Sequence, residues 1–125
     1  MPARLRPADP ADVADALARV RAGEPEKGDL RLLTKHYLAL LETRAPGRSV
    51  EVRVPPYAAV QVVEGVRHTR GTPPAVVETD AETWIALATG ELTWHEALAG
   101  ARATASGERT DLTPYLPLGR PAGAS

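Results

Sequence analysis

Three histidines, one arginine-rich stretch and two tryptophans are where this chain could do chemistry, because it holds no cysteine. Disulfides, thiolate catalysis and cysteine-based zinc sites are therefore excluded. His95-Glu96 begins like the zinc motif His-Glu-x-x-His, but position 99 is Ala, so the second ligand is missing. His36, His68 and His95 fall on separate predicted elements, and no metal site is expected. Ser49 and Ser106 fall at a strand start and a strand end, not in a Gly-x-Ser-x-Gly elbow. There is no glycine-rich phosphate loop and no dinucleotide fingerprint. No catalytic set and no cofactor are expected.

The most polar segment is Arg67-His68-Thr69-Arg70-Gly71-Thr72-Pro73-Pro74. Strand alternation places His68 and Arg70 on one face, with Arg53 on a neighbouring strand. Such donors can hold a carboxylate or phosphate, or meet a partner. They can equally pair with Glu64, Glu78 or Asp80 as ordinary surface charges. Trp84 and Trp94 lie near helix starts, where an indole serves either as core or as the wall of an apolar cavity.

These residues need a frame. Asp9-Pro10 starts a helix that carries Val13, Leu17 and Val20 at helical spacing and stops at Gly23. Its apolar stripe is thin, so it is expected to be peripheral. A second helix is predicted from Asp29 to about Thr43, burying Leu30, Leu33, Tyr37, Leu40 and Leu41. Ser49–Val54 alternates as a half-buried strand, and Pro55-Pro56 interrupts it. Tyr57–Val63 is nearly all apolar, which predicts a central strand. Val66–Arg70 is read as a short strand and Ala75–Thr79 as another.

The run from Val76 to Gly107 reads strand, helix, helix, strand. Two Thr-x-x-Glu pairs, Thr79/Glu82 and Thr93/Glu96, have capping-box spacing, and Gly90 and Gly100 are expected as left-handed stops. Ala101–Ser106 alternates, with Ala101, Ala103 and Ala105 expected inward. Thr113-Pro114 opens a short helical turn carrying Tyr115, Leu116 and Leu118.

Length and charge set outer bounds. The 125 residues fit one domain with its own core. Residues 1–28 are read as an N-terminal helix and linker, 29–118 as the domain, and 119–125 as a disordered tail. Fifteen basic and sixteen acidic residues nearly balance, which argues against nucleic-acid binding. No stretch approaches the roughly 20 apolar residues that span a bilayer. Met1 is followed by Pro, Arg and Asp rather than by an apolar leader, so a soluble cytoplasmic protein is expected.

The Val76–Gly107 run resembles the sterol carrier protein type 2 family. The resemblance rests on the strand AVVETD, the helices ETWIALATGEL and TWHEALAGA, and the strand ARATASG. The segments SVEVRVPP and RHTRGTPP are similar to those of small stand-alone actinobacterial members. The resemblance implies an α+β fold with a five-stranded, mostly antiparallel sheet covered by helices. It also implies an apolar cavity between sheet and helices, and non-enzymatic binding of a fatty acid, acyl-CoA or isoprenoid. On that reading Val60, Val62, Val77, Trp84, Leu87, Leu98 and Leu116 line the cavity, with Arg53, His68 or Arg70 at its mouth. Transient membrane contact is compatible with such a role. A second reading keeps the fold but makes the Arg67–Arg70 strand and Arg53 a protein-interaction surface. A third uses His68 as acid or base with Glu78 or Asp80.

Overall fold

The computed structural model describes residues 5–65, 75–107 and 110–118. Helix α1 (Pro10–Arg21) starts as expected: the Asp9 side chain accepts from the Ala11 N–H at 2.8 Å and Pro10 occupies the first turn. Only Ala16 of α1 is fully buried, and the helix packs against α2 (Asp29–Arg44). Their junction is an ion pair. Arg19 donates from Nε and Nη2 to both oxygens of Asp29, at 2.8 and 2.9 Å, and the Glu26 N–H adds a third bond at 2.7 Å. These bonds, the Arg19 side-chain ones foremost, hold the Asp29 carboxyl below the ordinary carboxylate range. Ahead of α1, the Ala8 N–H donates to His36 Nδ1 at 3.0 Å, and burial pushes that imidazole's pKa down.

Four strands make the sheet among the described residues: β1 (Val50–Val54), β2 (Ala58–Val62), β3 (Ala75–Thr79) and β4 (Ala103–Ser106). Their order is β2-β1-β3-β4. β1 pairs antiparallel with β2 but parallel with β3, and β3 pairs antiparallel with β4. Among the described residues the sheet is therefore four-stranded and mixed, and the five mostly antiparallel strands expected are not seen. The predicted strand Val66–Arg70 lies outside the described residues. Among the described residues β2 lies at the edge of the sheet, not at its centre. Its apolar appearance came from Ala58 and Ala59, which are half-buried and exposed, while only Val60 and Val62 enter the core. Small apolar side chains need little cover, so they imitate a two-sided strand without requiring one.

One face of the sheet is covered. Val50, Val52, Val54, Val62 and Val77 point into a core completed by Leu33, Leu38 and Leu41 of α2, and by Trp84 and Leu87 of α3 (Ala81–Thr89). The other face carries Glu51, Arg53, Gln61, Glu78 and Thr104, in register across the strands. β4 buries only Ala103; Ala101 and Ala105 are exposed, contrary to the alternation expected of them. The strand begins two residues later than expected and is short.

Two helix ends also differ from the sequence reading. Thr79 does not cap α3. Its hydroxyl donates to the Arg102 carbonyl at 2.8 Å, and Asp80 is the cap, accepting from the Thr83 N–H at 3.1 Å. A carboxylate is as good a cap as a hydroxyl, and β3 already holds Thr79 as its last residue. Gly90 is left-handed, with φ 87°, but Gly100 is not; Ala101 takes that conformation, with φ 56°. Helix α4 (Trp94–Ala99) closes with Ala101 N–H to Leu98 O at 3.1 Å and Arg102 N–H to Ala97 O at 2.8 Å. That Schellman pattern makes Gly100 the C-cap and Ala101 the reversal.

Candidate functional site

A groove of about 270 Å³ opens between the α3–α4 corner and the C-terminal segment. Its floor is Leu87 of α3 and Trp94, the first residue of α4. The connection contributes Gly90, Leu92 and Thr93. The opposite wall is Thr113, Leu116 and Pro117. Most of this lining is apolar, and its polar side chains are two threonines.

Local sequence explains why the corner exists. Gly90 lets the chain reverse after α3, with its N–H on the Leu87 carbonyl at 3.3 Å. Thr93 and Glu96 form the capping box read from the sequence: Glu96 N–H to Thr93 Oγ1 at 3.1 Å, and Thr93 N–H to Glu96 Oε1 at 2.9 Å. The box leaves Trp94 buried at the start of α4. The Thr93 N–H foremost, and then the Thr93 hydroxyl, hold the Glu96 carboxyl below its ordinary range.

The C-terminal wall is a strap fastened at three points. Leu112 and Leu118 are buried at its two ends. The Leu118 N–H donates to the Ala88 carbonyl at 2.7 Å. Between them Arg44, the last residue of α2, donates from Nη1 to the carbonyls of Tyr115 at 3.0 Å and Pro117 at 2.8 Å. Gly90 faces Pro117 across the groove, where an added Cβ would lie 3.4 Å from the proline ring. On the outside of the corner, Glu91 pairs with Arg21 of α1 at 2.8 Å.

Of the residues singled out in the sequence, Leu87 and Leu116 are in the groove. Val60, Val62 and Val77 are buried in the sheet's core face. Trp84 is 1% exposed beside them, its indole N–H donating to the Thr34 carbonyl at 3.3 Å. Leu98 is exposed at 41% on α4. Arg53 lies on the opposite face of the sheet, 3.6 Å from Glu51 and 3.9 Å from Glu78. Arg67, His68 and Arg70 lie outside the described residues. Burial raises the Asp80 carboxyl, but the bonds from Thr83 and the charge of Arg102 outweigh it and hold it below its ordinary range. The groove residues that the sequence reading missed are Gly90, Leu92, Thr93, Thr113 and Pro117. Turn and cap chemistry marked Gly90, Thr93 and Thr113, but not that the two turns face each other.

A family model described as a bacterial SCP ortholog matches residues 26–118. The chain therefore belongs to this bacterial sterol-carrier-protein-like family. No curated protein matches it. The matched span leaves out α1 and includes both walls of the groove. Among the described residues no helix is long and apolar enough to cross a membrane, and no group of three or more His, Asp or Glu is placed to hold a metal ion.

Proposed function

We propose that this protein binds and carries a small apolar ligand, of acyl or isoprenoid type, without transforming it. The observation that supports this is the groove of about 270 Å³ walled by Leu87, Leu92, Trp94, Leu116 and Pro117 in a chain of this family. Its size falls just below the roughly 300–1,000 Å³ typical of small-molecule sites, so a short chain, or the end of a longer one, is the fitting cargo. Each methylene taken from water would contribute about 0.8 kcal/mol before ordering costs. The carrier would act in the cytoplasm. The exposed Leu98, one turn along α4 from Trp94, supplies an apolar point for transient membrane contact.

Native mass spectrometry of the purified protein, followed by extraction and identification of bound lipid, tests this reading. A stoichiometric apolar species is expected, lost in a Leu116→Trp variant that fills the groove. A clean ligand-free mass, with no uptake from a panel of short acyl esters, alcohols and acids, would refute it. That result would favour the protein-interaction reading on Arg53 and the Arg67–Arg70 segment.

A further inference from the structure

We propose that His36 is a proton-operated latch for the N-terminal segment: as a neutral imidazole it holds residues 5–8 against α2, and on protonation it lets them go. The Ala8 N–H donates to His36 Nδ1 at 3.0 Å. That nitrogen can accept only while it carries no proton, so the docked form keeps the ring neutral, with its hydrogen on Nε2. An imidazolium would aim a second N–H at the first, and the bond would be lost rather than weakened. The ring is half-buried, with the Tyr37 ring edge-on at 4.9 Å between centroids. Three residues before Ala8, the half-buried Leu5 packs against the core.

The titratable and charged groups on the elements that meet here are Arg6 and Asp9 of the segment, Asp12 of α1, and Lys35 and Tyr37 of α2. None of them moves the imidazole; burial alone pushes its pKa below the ordinary value. The docked ring therefore titrates lower than the released one. Docking is fully favoured above about pH 6.5 and weakens as pH falls, by up to about tenfold per pH unit, until the docked value is passed. The other tie between α1 and α2 does not share that window. Arg19 holds both oxygens of Asp29, whose carboxyl lies below the ordinary carboxylate range. Release is thus local: the segment leaves while α1 stays on α2. The segment and α1 precede the family-matched span 26–118, whereas His36 lies inside it. The latch joins the family domain to an N-terminal part that the match does not cover.

NMR of the full chain, titrated from about pH 7.5 to about pH 5, tests the latch. The Ala8 amide is expected to be protected from exchange at neutral pH. Its resonance should move with the same midpoint as the His36 ring protons, below about 6.5. Across that midpoint its protection factor should fall about fivefold or more, while core amides of β1 and β3 stay protected. In His36→Ala the amide should be unprotected throughout. His36→Asn, whose side-chain oxygen can accept in place of Nδ1 without titrating, should keep it protected down to about pH 5. An Ala8 amide that exchanges freely at neutral pH, or that stays protected after the ring has titrated, would overturn the proposal. A ring still neutral at the acid end would overturn it too. Protection lost in His36→Asn along the same pH course as in the unaltered protein would assign the effect to Asp9 or another group. Segment and core losing protection together would make the event unfolding, and that also overturns the latch.

Discussion

Arg44→Met removes the central fastening of the C-terminal strap while keeping helix propensity and most of the side-chain stem. The guanidinium makes two hydrogen bonds, at 3.0 and 2.8 Å, to carbonyls of Tyr115 and Pro117. Both bonds are exposed, so the freed carbonyls can turn to water, and each is worth about 0.5 kcal/mol, the low end of the range for a net hydrogen bond. Loss of a cation at the C-terminus of α2 adds about 0.3–1 kcal/mol. The expected total is about 1–2 kcal/mol, a fall in Tm of roughly 3–8 °C for a domain of this size. Leu112 and Leu118 still anchor the two ends, so the loss should concentrate locally. Native-state hydrogen exchange at the Leu118 amide, which donates to Ala88, reads strap opening directly. Exchange there should accelerate more than at the core amides of β1 and β3, and groove affinity should fall with it. A uniform acceleration across strap and core would show that Arg44 acts only as a helix-terminal charge. Unchanged exchange at Leu118 would show that the two leucines hold the strap alone.

Thr34 is fully buried on α2, and among the described residues its hydroxyl has no hydrogen-bond partner. Thr34→Val should therefore raise stability by about 1 kcal/mol in urea unfolding, and a loss instead would reveal a buried partner for the hydroxyl. Asp29 carries a folded-state pKa below its unfolded one, chiefly through the Arg19 hydrogen bonds. Its contribution is thus present above the unfolded carboxylate pKa of about 4 and is lost as pH falls through the lower folded value. The stability gap between the protein and Asp29→Asn should be full at neutral pH and close on acidification; a gap that persists in strong acid would assign it to shape rather than charge.

How much was legible in the sequence follows from the range of the forces involved. Asp9-Pro10, the Thr93/Glu96 box and Gly90 are satisfied by bonds within a few residues, and each forms as spaced. The Thr79/Glu82 pair had the same spacing but failed, because Arg102, on a distant part of the chain, accepts the Thr79 hydroxyl. Gly100 failed for a subtler reason. Where α4 reverses depends on which residue can reach the Ala97 and Leu98 carbonyls, and Arg102 must leave in the direction of β3. The groove was legible only in pieces. Leu87 and Leu116 were apolar positions in any reading, whereas Thr93 and Thr113 looked like turn and cap residues.

The sequence by itself determined the helices, the Asp9, Thr93/Glu96 and Gly90 end signals, the alternating faces of β1, and the family to which residues 26–118 belong. Those features depend on periodicity and on bonds between near neighbours, which composition and spacing encode. Tertiary structure alone decided that β1 lies between an antiparallel β2 and a parallel β3, that of two buried tryptophans Trp94 also lines the groove and Trp84 does not, and that Arg44 holds the strap. Each of those depends on which surfaces meet across long sequence separations. Many pairings of apolar faces satisfy one pattern, and only the packed chain selects among them.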